Sequence, residues 1–228
     1  MRTRAASIAL AAALLVAAVL TVPGRALAAD TRIQPGARIV RPAGCTLNFV
    51  FRDAAARLYI GTAGHCVSGV GDRVATPEGE FGTVVFRILR GDDDFSLIRI
   101  DPAFYAEVNP AMRAWGGPTG VTTADTTGIG DALLQYGYGI VYSTTEVTRA
   151  RGGILYNDNA MSYHAEVPAI FGDSGGPVIH AATGRALGIV ANIGGHLLNG
   201  PTVQRAIELL AEAGIDVSLA TAGFTPPA

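Results

Sequence analysis

An all-β chain of two consecutive antiparallel barrels or sandwiches, finished by one helix, is what this sequence predicts. Three observations lead there. Short apolar or alternating runs rich in Val, Ile, Phe and Tyr recur in two blocks of about 80 to 90 residues. A Gly/Thr-rich stretch, 113–128 ("RAWGGPTGVTTADTTG"), lies between the blocks and is the best linker. A helical period appears only after residue 200.

Taken in order, the chain starts with Arg2 and Arg4, an apolar run from Ile8 to Val22, a break at Pro23-Gly24 and the small-residue site Ala26-Leu27-Ala28. That is the anatomy of a secretory signal peptide over residues 1–28. The apolar run is short against the ~20 residues that span a bilayer. The mature chain is therefore expected to start near Ala29, to be secreted and extracellular, and to have no membrane partner. Without Arg2, Arg4 and Arg25 the 17 basic residues fall to 14 against 19 acidic ones, a net of −5. That balance gives no electrostatic reason to expect nucleic acid as a partner. Every basic residue is arginine, which base composition explains.

In the first block "CTLNFVF", "RLYIGTA", "GTVVFRIL" and "FSLIRI" read as strands, separated by turns at Arg52-Asp53, Ser68-Gly69 and Pro77-Glu78-Gly79. The second block supplies "DALLQYGYGIVY", "EVTRARGGILY", "MSYHAEV", "GPVIH" and "ALGIVAN". "PTVQRAIELLAEAG" then places Val203, Ile207, Leu210 and Ala211 on one helical face, with Arg205, Glu208 and Glu212 away from it. The closing "FTPPA" reads as a frayed end. Cys45 and Cys66, the only cysteines, make one disulfide in an exported chain. Two thiols alone do not complete a zinc site, so no metal and no cofactor is expected.

"FGDSGGPVI", 171–179, carries the chemistry and fits two kinds of hydrolase. As Gly172-x-Ser174-x-Gly176 it matches a nucleophile elbow, which needs the order Ser, acid, His and a helix directly after the serine. Here His180 and His196 precede Glu208, Glu212 and Asp216, and Gly175-Gly176-Pro177 opposes a helix. The opposite order does fit: Thr62-Ala63-Gly64-His65-Cys66, then Asp92-Asp93-Asp94-Phe95-Ser96-Leu97-Ile98, then the serine loop.

"TAGHC", "DFSLI" and "GDSGGP", in that order, resemble the signature segments of the chymotrypsin-like serine proteases, and the sparse cysteines resemble the family's bacterial secreted branch. The resemblance covers most of residues 33–200. It implies two antiparallel six-stranded β-barrels with the active site in the cleft between them: residues 29–118 carrying His65 and Asp94, and residues 119–228 carrying Ser174 and helix 202–213. It implies Ser174 as nucleophile, His65 as base, Asp94 as the carboxylate orienting it, and the N–H groups of Gly172 and Ser174 as oxyanion hole. Asp92 and Asp93 read as a solvated turn. The Cys45–Cys66 bridge would steady His65 structurally.

The resemblance also places the substrate-binding residues. Relatives that cut after Arg or Lys carry an aspartate six residues before the nucleophile; here Pro168 stands there, followed by Ala169. An apolar or small side chain is expected in that pocket, with Glu166 the nearest acid. Ile189 to Asn192 would pair with an extended substrate, Ala191 and Asn192 lining the pocket, although "ANIGG" departs from the family's usual residues. Processing after Arg32 or Arg38 would create a terminus at Ile33 or Ile39 able to pair with Asp173. His164, His180 and His196 read as structural. The expected activity is that of a monomeric serine endopeptidase acting on protein or peptide substrates. The rival readings are a non-catalytic binding protein on the same scaffold and an esterase-like hydrolase using the same triad.

Overall fold

Alternating residues in the first block become strands that wrap one apolar interior. The computed structural model describes residues 30–141, 144–194 and 197–227. The expected leader, 1–28, and His196 lie outside the described residues. β1 (Arg38–Ile39) and β2 (Cys45–Thr46) form a small ribbon. β3 (Val50–Arg52), β4 (Leu58–Thr62), β5 (Arg73–Thr76), β6 (Gly79–Arg90) and β7 (Asp93–Ile100) form an antiparallel sheet in the order β3-β4-β7-β6-β5. A bridge from Arg41 to Ala75 ties the ribbon to β5 and curls the sheet towards closure.

The second block contributes β8 (Ala132–Tyr136), β9 (Ala150–Asp158), β10 (Ser162–Glu166), β11 (Pro177–His180), β12 (Ala186–Ile189), β13 (Asn192–Gly194) and β14 (Leu197–Pro201). A four-residue helix, α1 (Glu146–Arg149), precedes β9. The sheet order is β12-β11-β8-β9-β10-β14-β13, seven strands where six were expected. The extra strand comes from the Gly-rich stretch after Asn192. Asn192 pairs with Asn199 and Ile193 with Leu198, so ladder bonds override low strand propensity. A bridge from Gly188 to Thr202 brings the β12 edge back towards β14, so this half also closes on itself.

Each sheet encloses its own core. Ile33, Leu47, Ile60, Phe81 and Ile98 fill the first, and Leu133, Leu155, Tyr163, Val178 and Leu198 the second. A third cluster joins the halves: Phe49, Phe51, Phe95 and Leu97 meet Leu134, Tyr136, Ile179 and Ile189. Full burial of each such side chain stabilises by about 1.5–3 kcal/mol, so the two halves are fixed relative to each other.

The final helix, α2 (Val203–Glu212), docks on that joint cluster. Thr202 caps it by accepting the Arg205 N–H at 3.0 Å. Its buried face is Val203, Ala206, Leu209 and Leu210; Ile207 is only half-buried and Ala211 is exposed. The face is thus rotated from the one expected, because α2 packs on both halves instead of one.

Beyond α2 the chain returns to the first sheet, where β15 (Ser218–Leu219) pairs with β3. The end is not frayed as expected. Phe224 bridges Gly116, Thr225 N–H donates to the Trp115 carbonyl at 3.0 Å, and the Phe224 ring covers Gly184.

Arg205, expected on the solvated face of α2, reaches the first half instead. Its guanidinium binds the Asp93 carboxylate with both oxygens, at 3.1 and 3.0 Å, and both side chains are largely buried. Hydrogen bonding to Asp93 raises the Arg205 pKa above its ordinary value. Replacing Arg205 with alanine leaves the Asp93 charge unpaired and is expected to lower stability by about 2 kcal/mol. Urea denaturation of the two proteins measures the difference.

Candidate active site

The register of one strand pair brings base and acid together. β4 and β7 run antiparallel with Thr62 opposite Ser96. β4 ends there, and His65 follows in a single 3₁₀ turn, Gly64–Cys66, beside Asp94 of β7. Asp94 is buried. Its Oδ1 accepts the His65 backbone N–H at 2.9 Å and its Oδ2 meets His65 Nδ1 at 2.6 Å. Two contacts to one carboxylate fix both the backbone and the ring of His65. Arg87 Nε, from β6, donates to the carbonyls of Gly64 and Val67 at 2.8 and 3.0 Å and locks the turn from behind. Of the three acidic residues, Asp92 is exposed as expected, whereas Asp93 is buried against Arg205 and not in a solvated turn.

Cys45 and Cys66 form the expected disulfide. It joins β2 to the residue after His65. Cys66 Sγ packs 3.7 Å from the Ser174 carbonyl; having no proton, it makes a contact there and not a hydrogen bond. One donor atom each of Cys45, His65 and Cys66 lies within 4.8 Å of the others, but both sulfurs are spent in the bridge, so the group has no thiolate for a metal.

The loop 170–176 is a run of turns whose peptide units are almost all held. The Phe171 carbonyl accepts from Ile140 N–H at 2.9 Å, that of Gly172 from Thr46 Oγ1 at 2.8 Å, that of Asp173 from Gly176 N–H at 2.9 Å and that of Ser174 from Thr46 N–H at 2.9 Å. In a planar trans peptide the N–H points opposite the C=O. Pinning the carbonyls of Phe171 and Asp173 therefore aims the N–H groups of Gly172 and Ser174. Among the described residues neither of these N–H groups donates a hydrogen bond.

Two glycines are dictated by close approach. Gly172 has φ +103° and a Cβ there would sit 2.4 Å from the Tyr138 carbonyl oxygen. Gly175 has φ +84° and a Cβ there would sit 2.4 Å from the Thr46 carbonyl oxygen. Ser174 is 7% exposed. The His65 ring hydrogen-bonds Asp94 and not Ser174 Oγ, a contact that commonly tightens only around substrate.

Asp173 lies under the loop at 0% exposure. Its Oδ1 takes Gly139 N–H at 2.7 Å and the Arg151 guanidinium, and its Oδ2 takes Ile170 N–H at 2.9 Å. Arg151, on β9, is held in turn by Gln135 Oε1 through Nε and Nη2, at 2.9 and 2.7 Å. In this structure Asp173 pairs with Arg151 and not with a chain terminus at Ile33 or Ile39. The carboxylate already has an internal cation, Ile33 is buried in a bridge to Val108, and Ile39 is paired with Cys45. In sequence Arg151 stands two residues after Arg149, near the start of a strand, a pattern too common to mark a role.

The candidate substrate-binding residues are spread over different surroundings. Pro168 and Asn192 are exposed, while Ala169 and Ala191 are buried; Ala169 packs among Val167, Leu187 and Val190. Glu166 is exposed at the end of β10. Asn192 opens β13, the edge strand of its sheet. His164 lies on β10 with Nδ1 buried, and His180 bonds Thr183 Oγ1 at 2.8 Å and meets Asp131 at 3.3 Å. Neither belongs to the His65 cluster.

A family model described as Trypsin matches residues 55–208. No curated protein matches the chain in sequence. Among solved structures, protease A of Thermobifida fusca is 23% identical with a TM-score of 0.62, covering 83% of this chain and 98% of its own. A Nocardiopsis protease is 20% identical at a TM-score of 0.60, covering 85% and 100%. A Cellulomonas bogoriensis chymotrypsin is 20% identical at 0.56, covering 83% and 98%. At these identities the likeness is one of fold, the double β-barrel.

Replacing Arg151 with methionine strands a buried carboxylate, and stability is expected to fall by about 3–5 kcal/mol. Adding Asp173→Asn to that variant should return part of the loss. Urea melts of the single and double variants give both numbers.

Proposed function

From the premise that this chain belongs to the trypsin family of serine endopeptidases, we propose that it is a secreted enzyme cleaving peptide bonds through an acyl-enzyme formed on Ser174. The observation that carries this reading is the 2.6 Å contact between His65 Nδ1 and a buried Asp94, which leaves Nε2 as the ring's basic atom. A serine hydroxyl is a poor nucleophile until a neighbouring base takes its proton. Nε2 of His65 takes that proton as Oγ attacks the scissile carbonyl, and Asp94 stabilises the imidazolium.

The negative charge passes to the carbonyl oxygen, where the N–H groups of Gly172 and Ser174 receive it. Donors fixed in advance cost no reorganisation during the reaction, and losing one typically slows it about 10²- to 10³-fold. Collapse breaks the C–N bond, His65 gives its proton to the departing amine, and the acyl group stays on Ser174. Water, deprotonated by His65, then releases the acid and restores the serine.

The apolar leader ending at Ala26-Leu27-Ala28 and the Cys45–Cys66 bridge support export, since such bridges persist in oxidising compartments. Among the described residues no helix is long and apolar enough to cross a membrane. An extended substrate would add a strand to the free edge of β13, beginning beside Ala191 and Asn192. Inward from that edge, across β14, β10 and β9, a groove of about 330 Å³ lined by Tyr156, His164, Asn192 and Leu197 offers room for a substrate side chain. Six residues before Ser174 stands Pro168, which gives an arginine or lysine side chain no carboxylate to pair with.

Intact mass before and after a serine-directed fluorophosphonate is the deciding measurement. One adduct on the wild type and none on Ser174→Ala is expected, with a starting mass that places the N-terminus at Ala29 and keeps the disulfide. A folded, correctly processed protein that takes no adduct would sink the protease reading. On a peptide library, cleavage is expected after small or apolar residues and at least about tenfold less after Arg or Lys; dominant cleavage after Arg would overturn that preference.

A further inference from the structure

Thr46 is a β-strand residue of the first half with 0% exposure, yet most of its polar groups serve the nucleophile loop of the second. Its N–H donates to the Ser174 carbonyl at 2.9 Å. Its Oγ1 accepts the Tyr138 N–H at 3.1 Å and donates to the Gly172 carbonyl at 2.8 Å. Its own carbonyl accepts from Thr62 Oγ1 at 2.9 Å, three residues before His65. No other side chain among the described residues binds the carbonyl of Gly172.

We propose that Thr46 is a positioning residue for the oxyanion hole, its hydroxyl fixing the peptide that lies between the two charge-stabilising N–H groups. This role rests on the proposed function of Ser174. A hydroxyl has one proton to give. Because Thr46 Oγ1 is already the acceptor for Tyr138, that proton is directed to Gly172 O. The Asp173 N–H of the same peptide donates to the Ile170 carbonyl at 3.0 Å, so peptide 172–173 is held at both ends and cannot rotate without losing the Thr46 bond. The flanking peptides, 171–172 and 173–174, carry the N–H groups of Gly172 and Ser174. They share their α-carbons with the held peptide, so a rotation of the middle unit would turn both donors away from one point.

Serine keeps this hydroxyl, valine keeps the shape without it, and alanine has neither. The geometry matters only when charge builds on the substrate oxygen, so the loss should fall on kcat and leave KM nearly alone. A change of Thr46 that acted only on packing would lower the melting temperature and leave the turnover of the folded fraction as it was.

The test compares Thr46→Val, Thr46→Ser and Thr46→Ala with the wild type, reading thermal melts, kcat and KM on a cleaved peptide, and the Ki of a peptide boronate. Valine is expected to lose about 10- to 100-fold in kcat with KM within about threefold, and to bind the boronate more weakly by a similar factor. Serine is expected to recover most of that loss. If the valine chain does not fold, serine and alanine carry the same comparison, with alanine slower. Wild-type kcat in the folded valine variant, equal losses in serine and alanine, or a loss confined to KM each overturn the proposal. A wild type that neither reacts with fluorophosphonate nor cleaves peptide overturns the protease reading and this one together; a reactive wild type with an unaffected valine variant overturns this one alone.

Discussion

The loop 170–176 is wedged between two barrels with residues 173–176 buried, and backbone polar groups there must find partners because water is excluded. That constraint organises the rest of the molecule. Thr46 comes from the ribbon of the first half, Ile140 and Tyr138 from the chain after β8, and Arg151 from β9, all converging on seven residues. Once the carbonyls are bonded, the N–H groups of Gly172 and Ser174 are left without an acceptor among the described residues. Under the proposed function, the bonds that satisfy this loop are also the ones that aim its two oxyanion donors.

The Asp173–Arg151 pair shows how the loop is held without help from a chain terminus. A carboxylate at 0% exposure is costly unless a cation and several donors surround it. Arg151 supplies the charge, the N–H groups of Gly139 and Ile170 supply the remaining bonds, and Gln135 keeps the guanidinium in place. All are internal to the second half, so the loop has its cation without any cut in the chain. The N-terminal segment is instead packed as β structure against the first half.

The His65–Asp94 pair depends on a different element, the register of β4 against β7. A slip by one residue would turn Asp94 to the opposite face and leave His65 without its partner. Several features guard that register: the disulfide beside His65, Arg87 on the carbonyls of the 3₁₀ turn, and Arg205 on Asp93. The last of these couples the acid's neighbour to α2, and β15 then returns the chain to the first sheet. The two halves are thus joined by charge, by strand pairing and by an apolar cluster that each contributes to.

The sequence by itself determined the local things. Alternation and turn residues marked β2 to β4 and β6 to β12 but not β1, β5, β13, β14 or β15. The 3.6-residue period marked α2 to within a residue at each end, and the resemblance of "TAGHC" with "GDSGGP" to family signature segments pointed to His65 and Ser174. The tertiary structure decided whatever depended on partners far away in the chain. Asp93 became buried because Arg205 lies 112 residues later on a helix that turns back. Arg151 and Thr46 look unremarkable in sequence and acquire their roles only when β9 and the β1–β2 ribbon are folded against the loop. The extra strand β13 forms because β14 offers it a ladder, not because "ANIGG" favours a strand. Propensity and periodicity are properties of neighbours in the chain, whereas the pairing of a buried charge or carbonyl is settled by which distant group the packed barrels set beside it.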